Sequence, residues 1–136
     1  MATQDTAGYS GTPLVRKLGI KDGHTVFLDG VPDGVALGDL GGAHVVRRLP
    51  RQADVTVTFH LDRGRFERRL PELVDRTVSN GMIWVCWPKK ASKVPTDLDE
   101  NVVRAIALAA GVVDVKVAAI DATWSGLKLV RRLADR

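Results

Sequence analysis

The 136-residue sequence contains one cysteine, Cys86. An intramolecular disulfide and a cysteine-built zinc cluster are therefore excluded. Cys86 stands within an apolar run and reads as a small buried thiol. Aromatic residues are scarce at 5%, and two of the three tryptophans share that same apolar run. Binders of single-stranded nucleic acid instead interleave aromatics with a dense basic groove. Long apolar runs are missing as well. The most apolar stretch, residues 102–113, is interrupted by Arg104 and falls short of the roughly 20 residues that a spanning helix needs. Residues 1–8 have neither the basic nor the apolar region of a secretory signal. A cytoplasmic, reduced setting without membrane contact is expected. No spacing of histidine, cysteine and aspartate suits a metal, and no repeat or low-complexity segment occurs.

What is present is ordinary for a globular chain: 45% hydrophobic and 26% charged residues, with a net charge of +4. The length suits a single domain, here residues 9–136, behind a polar tail at residues 1–8 that is expected to be disordered. The positive balance weakly favours anionic partners. The strongest local signal is Met82-Ile83-Trp84-Val85-Cys86-Trp87-Pro88, a run without charge. A short apolar run of this kind reads as a strand buried on both faces, as central parallel strands are. Pro88 ends it, since proline cannot donate to a ladder, and Lys89 and Lys90 follow. A buried strand thus delivers a basic loop to one edge of a sheet. In open α/β sheets, ligands bind outside the carboxyl ends of the strands.

Other elements can be placed around this strand. Thr12 and Pro13 read as the cap and first residue of a helix whose face is Leu14, Val15 and Leu18, with Gly19 ending it. Residues 24–28 read as a strand. Residues 29–42 carry too many glycines for a good helix. Residues 44–48 form a short strand. In residues 54–61, Val55, Val57, Phe59 and Leu61 alternate with Thr56, Thr58 and His60, which is a strand pattern. Asp62 caps a helix over 63–78 whose buried face is Phe66, Leu70, Leu73 and Val74. Pro71 predicts a kink or a restart within it, and Asn80-Gly81 a turn into the central strand. Thr96 predicts the cap of another helix, with Asp97, Asp99 and Glu100 in its first turn. Residues 112–120 and 124–131 read as two strands joined by Asp121-Ala122-Thr123, which makes them an antiparallel hairpin. The alternation of strand and helix argues for an α/β sandwich with a mainly parallel sheet. The link at residues 49–53 is barely long enough for a parallel crossover, so the direction and membership of the strand at 44–48 stay open.

This order of elements resembles a trimmed class I S-adenosylmethionine-dependent methyltransferase domain. The resemblance implies a Rossmann-like three-layer sandwich. Its six-stranded, mainly parallel sheet would end in an antiparallel hairpin, with the last strand inserted beside the central one. Three further stretches resemble a family of small, mostly actinobacterial proteins of unknown function. They are Tyr9-Ser10-Gly11-Thr12-Pro13-Leu14 with Lys17-Leu18-Gly19-Ile20; Trp87-Pro88-Lys89-Lys90-Ala91-Ser92 with Thr96-Asp97-Leu98; and Asp114-Val115-Lys116-Val117 with Asp121 and Trp124-Ser125-Gly126-Leu127. The sequence departs from methyltransferases where the cofactor should bind. Their signature is an acidic residue and G-x-G-x-G after the first strand; here Asp29-Gly30-Val31-Pro32-Asp33-Gly34 stands in that place. The acidic residue that would serve the ribose after the second strand is missing, and Arg47 and Arg48 stand near it. His60-Leu61-Asp62 is not the Asn/Asp-Pro-Pro-Tyr motif of amine methyltransferases.

The carboxyl edge of such a sheet would present Asp29, Gly30, His60, Asp62, Lys89, Lys90, Ser92, Asp121, Trp124 and Ser125. The lysines with Ser92 and a following helix amino end suit phosphate or carboxylate; alternatively they pair with Asp97, Asp99 or Asp121. His60 with Asp62 is a pair of the general-base kind, without a nucleophile. No catalytic residue is assigned. The leading expectation is a non-catalytic domain that binds a small anion or a protein partner at this edge. The alternatives are an enzyme that retains S-adenosylmethionine or a nucleotide, and a nucleic-acid binder using Arg47, Arg48, Arg51, Arg65, Arg68 and Arg69.

Overall fold

The computed structural model describes residues 12–136; the disorder expected of residues 1–8, and the Tyr9-Ser10-Gly11 part of the first quoted stretch, lie outside the described residues. Strands β1 (Thr25–Asp29), β2 (His44–Val46), β3 (Ala53–Phe59), β4 (Thr77–Pro88), β5 (Val112–Ala119) and β6 (Trp124–Arg131) form one sheet. Their order is β2-β1-β3-β4-β6-β5. The first four strands run parallel, and β6 is antiparallel to both β4 and β5. The apolar run at 82–88 is thus central, between β3 and β6. The fold is the mixed α/β, Rossmann-like one that the alternation of elements predicts.

The strand at 44–48 belongs to the sheet and is parallel. It pairs Thr25 with His44, Val26 with Val45 and Phe27 with Val46. With only three residues in β2, the chain has about 10 Å to retrace, so the short link 47–52 suffices. Leu49 in that link packs on the core, and Arg76 Nη1 donates to the Pro50 carbonyl at 3.0 Å.

Helices α2 (Arg63–Asp75) and α3 (Glu100–Ala109) cover one face. There Phe66, Leu70, Leu73, Val103, Ile106 and Ala107 meet Ile83, Val85, Trp87, Leu127 and Leu129 of the sheet. The other face has no long helix. It is covered by α1 (Leu14–Lys17), a single turn, and by the coil at residues 30–43, through Leu18, Ile20 and Leu37. Trp84, fully buried, lies on this second face. Strand parity sets Trp84 and Trp87 on opposite faces and leads one to expect a long helix over each; instead α2 and α3 share the Trp87 face. Trp84 is instead fixed by its Nε1–H, which donates to the Leu18 carbonyl at 3.0 Å.

Local signals were displaced in several places. Thr12 does not cap α1; Pro13 holds that position, its carbonyl accepting from Arg16 and Lys17. Gly19 ends the turn at φ +73°, with its own amide bonded to Arg16 O and that of Ile20 to Val15 O. This paired closure needs a left-handed residue after the cap. α2 runs through Pro71 without a restart, because Pro71 and Glu67 are both exposed and the freed carbonyl faces water. Asn80-Gly81 is not a turn before β4. The strand begins at Thr77, opposite Ala53, and its register then jumps so that Val55 faces Met82. The extra residues form a bulge. A Cβ on Gly81 would stand 2.7 Å from the Asp54 carbonyl oxygen, so glycine is required there. A second irregularity lies in β5 between Asp114 and Lys116.

Candidate functional site

The first turns of α2 start at the carboxyl edge, immediately after β3. Asp62 caps the helix as predicted, its side chain accepting from the Gly64 amide at 2.9 Å. Arg65, Arg68 and Arg69 therefore overhang the edge, since residues three and four apart share a helix face. Beneath them, Phe27 and Asp29 of β1, Thr56 and Thr58 of β3, and His60 just after β3 point to the same side by strand parity. The three arginines with Asp29, Gly30, Phe59, His60 and Glu72 bound a cleft of about 470 Å³.

A hydrogen-bonded chain forms the floor. Arg69 grips Asp29 with two bonds, Nη2 to Oδ1 at 2.9 Å and Nε to Oδ2 at 3.1 Å. Thr58 Oγ1 lies 2.8 Å from Asp29 Oδ2 and 2.7 Å from His60 Nε2. A carboxylate only accepts, so the Thr58 hydroxyl donates to Asp29 and in turn accepts from His60 Nε2–H. That assigns the tautomer and leaves His60 Nδ1 as a bare lone pair, buried and without a partner. Burial pushes the His60 pKa down to about 4; Asp29 opposes this, and the nearby cations Arg65 and Arg69 add to it. The imidazole is neutral at pH 7. For Asp29, burial acts to raise the pKa, but the hydrogen bonds from Arg69 and Thr58 and the charge of Arg69 outweigh it, so the carboxyl is held below its usual value. Arg69 also pairs with Glu72 at 2.9 Å. Arg65 and Arg68 make no ion pair among the described residues.

Of the residues predicted for this edge, Asp29, Gly30 and His60 come together in the cleft. Asp62 lines a smaller adjoining cavity with Trp124; its carboxylate serves the helix end, and Thr58, not Asp62, orients His60. The lysine loop is elsewhere and closes on itself. Lys89 Nζ donates to the Asp121 carbonyl at 2.9 Å, and Ser92 Oγ donates to Lys89 O at 2.6 Å. Asp121 Oδ1 accepts from the amides of Thr123 and Trp124, holding the hairpin turn. Lys90 is exposed in a one-turn 3-10 helix (Lys90–Ser92), and Ser125 pairs with Trp87 in the ladder. The helix amino end expected beside the lysines is already served. Asp99, not Thr96, caps α3 by accepting from Val102 N at 2.8 Å. Thr96 donates to Leu61 O instead, and Asp97 accepts from Arg63 N at the start of α2.

Sequence reasoning named the arginines of α2 only as nucleic-acid contacts and Thr58 only as a strand residue, and placed neither at this edge. The available signal was Arg65, Arg68 and Arg69 at i, i+3 and i+4 on the first turns after a strand. Among the described residues, no group of three histidine, cysteine or acidic side chains is arranged to hold a metal ion, and no helix is long and apolar enough to cross a membrane.

No family model matches the chain, and none of the curated proteins matches it in sequence. The resemblance to the small actinobacterial proteins therefore stands on the three quoted stretches alone. Solved structures do match. Magnesium protoporphyrin IX methyltransferase from Synechocystis PCC 6803, with bound S-adenosylhomocysteine, superposes with a TM-score of 0.61 at 12% identity, covering 88% of this chain and 80% of that one. Ribosomal protein L11 methylase from Lactobacillus delbrueckii subsp. bulgaricus gives 0.60 at 12% identity, covering 88% and 75%. An S-adenosylmethionine-dependent methyltransferase from Aquifex aeolicus gives 0.54 at 15% identity, covering 85% and 86%. At these identities the likeness concerns the fold.

Three features of this edge depart from the methyltransferase signature. The acid after β1, Asp29, is engaged by Arg69 and Thr58. Residues 30–43 supply no helix whose amino end would face a ligand, and β2 is followed by Arg47 and Arg48 where an acid would serve a ribose. The chain has the fold of class I S-adenosylmethionine-dependent methyltransferases, with coil between its first two strands.

Proposed function

We propose that this methyltransferase-like chain binds a small anion at the carboxyl edge of its sheet and transfers no methyl group. The observation that carries the reading is the pair Arg65 and Arg68, unpaired beside the already engaged Arg69 and facing the 470 Å³ cleft. Guanidinium groups fork carboxylate and phosphate oxygens. His60, being neutral, adds no charge of its own, and the free charge of the cleft is that of Arg65 and Arg68. Calorimetric titration with inorganic phosphate tests the reading, with S-adenosylmethionine and S-adenosylhomocysteine as competitors. Phosphate should bind the native chain and lose about tenfold or more in Arg65→Gln/Arg68→Gln, the value of one charge-assisted contact. Tight binding of S-adenosylmethionine, with Kd near about 1 µM or below, would overturn it in favour of a cofactor-using enzyme.

A second reading, an extended polyanion such as nucleic acid, has one observation in its favour. The 47–52 link and α2 cover the same sheet face, since Val46, Leu49 and Phe66 share one core. Arg48 and Arg51, which flank Leu49 in that link, can thus join Arg65, Arg68 and Arg69 on one side, whereas Arg47 lines a cavity on the opposite face with Leu28 and Leu37. A polyanion contacting that side would show a steep loss of affinity with salt. A shallow slope, or no shift with duplex and single-stranded DNA, removes this reading.

A further inference from the structure

We infer that the anion held at this edge carries an apolar body, aryl or alkyl, that lies in the adjoining cavity; the inference rests on the anion-binding reading above. The smaller cavity, about 210 Å³, shares Gly30, Phe59, His60 and Arg65 with the arginine cleft. One molecule can therefore occupy both. The two halves differ in chemistry. The larger is walled by Asp29, Glu72 and the three arginines. The smaller shares Arg65 and has Asp62 at its helix end, but its remaining wall is Pro32, Phe59, Leu61 and Trp124.

Two features single out the smaller half. Leu61 is 46% exposed and packs in neither core, yet it lines this cavity. An exposed leucine alone is unremarkable; one standing at the mouth of a cavity opposite a rigid aromatic wall has a use. That wall is Phe59 against Trp124, edge to face, with centroids 5.3 Å apart and planes at 79°. Both rings are nearly buried, so the wall is already formed. His60 stands at the junction. Its uncharged ring gives an apolar body a face to lie on. An anionic head on the arginines and a ring or short chain against Leu61 and Trp124 would satisfy both halves at once.

Titrations at fixed ionic strength with inorganic phosphate, phenyl phosphate and hexyl phosphate test this against the native chain and Leu61→Asn. Leu61 is exposed, so the variant should fold. Phenyl or hexyl phosphate should bind roughly tenfold or more tightly than inorganic phosphate, the yield of burying one apolar group. Leu61→Asn should erase that advantage while the affinity for inorganic phosphate stays. Equal affinities for all three phosphates, or an advantage that survives Leu61→Asn, would overturn the inference and leave the anion-binding reading standing. Failure of all three to bind would remove that reading, and this one with it.

Discussion

On one face of the sheet, Phe66, Leu70 and Leu73 of α2 and Val103, Ile106 and Ala107 of α3 close the core. On the other, Leu18 and Ile20 around a one-turn helix, with Leu37 from a coil, do the same. Both faces bury their sheet side chains almost completely: Val85 and Trp87 on the first are 0% and 6% exposed, and Val57 and Trp84 on the second are 0%. The difference lies in how backbone polar groups are satisfied. Helices bond internally, whereas a coil must find partners. On the coil-covered face Trp84 provides one, taking the Leu18 carbonyl. This arrangement shows that a coil and a single helical turn can seal one face of the sheet as fully as two helices seal the other. The helix-covered face instead carries the polar chain Arg69–Asp29–Thr58–His60 beneath α2, so the candidate site belongs to the regular side of the molecule.

The comparison breaks first at Trp84. Replacement by alanine should cost about 3–5 kcal/mol, the range for a buried aromatic, as read from urea unfolding. Leu70→Ala on the opposite face should cost about 2–5 kcal/mol. A loss below about 1 kcal/mol at Trp84 would mean that the coil-covered face is not a true core.

The next largest effect is a pH dependence confined to the helix-covered face. The pKa of His60 is about 4 in the fold and about 6.5 when unfolded. Between these values the unfolded chain binds the extra proton. The contribution is complete above pH 6.5 and drains away as pH falls toward 4, to a total of about 3 kcal/mol. His60→Phe should flatten that slope in thermal or urea unfolding. The Thr58 hydroxyl keeps Asp29 as its acceptor in that variant. An unchanged slope would show that His60 titrates freely.

Arg69→Leu should cost about 1–3 kcal/mol at pH 7, because it leaves the Asp29 carboxylate without its bidentate partner. Asp29 has a lowered pKa in the fold, so its contribution is present above its ordinary value of 3.8 and is lost as pH falls through the folded one. The deficit of the variant should therefore shrink on acidification, and a deficit independent of pH would point to lost packing over Phe27 instead. The smallest effect is expected from Lys89→Ala with Lys90→Ala. Thermal melts should shift by the equivalent of about 0–1 kcal/mol, since among the described residues their ammonium groups make one hydrogen bond, a half-buried contact to the Asp121 carbonyl. A larger loss would make the lysine loop a structural joint.

Much of the fold was legible because it is periodic. The uncharged run at 82–88 announced the central strand, and the parity of Trp84 and Trp87 placed them on opposite faces. Parity does not say which element covers which face, and there the expectation failed. The alternation in β3 marked a strand without saying how deep its polar side lies; Thr56 and Thr58 are 2% and 0% exposed. The candidate site was half legible. Asp29, Gly30 and His60 could be found by locating strand ends. Arg69 stands forty positions from Asp29 in the chain, and no local pattern records that pairing. Asp97 and Thr96 looked like the start of α3 and instead tie its approach to α2 and Leu61. Sequence propensity marks a capping residue without naming the helix it will serve.

The irregularity in β5 has a bearing on crowding between molecules. β5 is an outer strand of the sheet, and Val115 and Val117 on it are 53% and 47% exposed. A flat outer strand with exposed valines invites a neighbouring chain to add itself by backbone pairing. Here the register slips between Asp114 and Lys116, and Lys116 stands directly opposite Lys128. The slip spoils the even spacing that an incoming strand must match, and the two ammonium groups repel a close approach. The cost is a like-charge pair within the hairpin, and the return is an outer strand that discourages polymerisation.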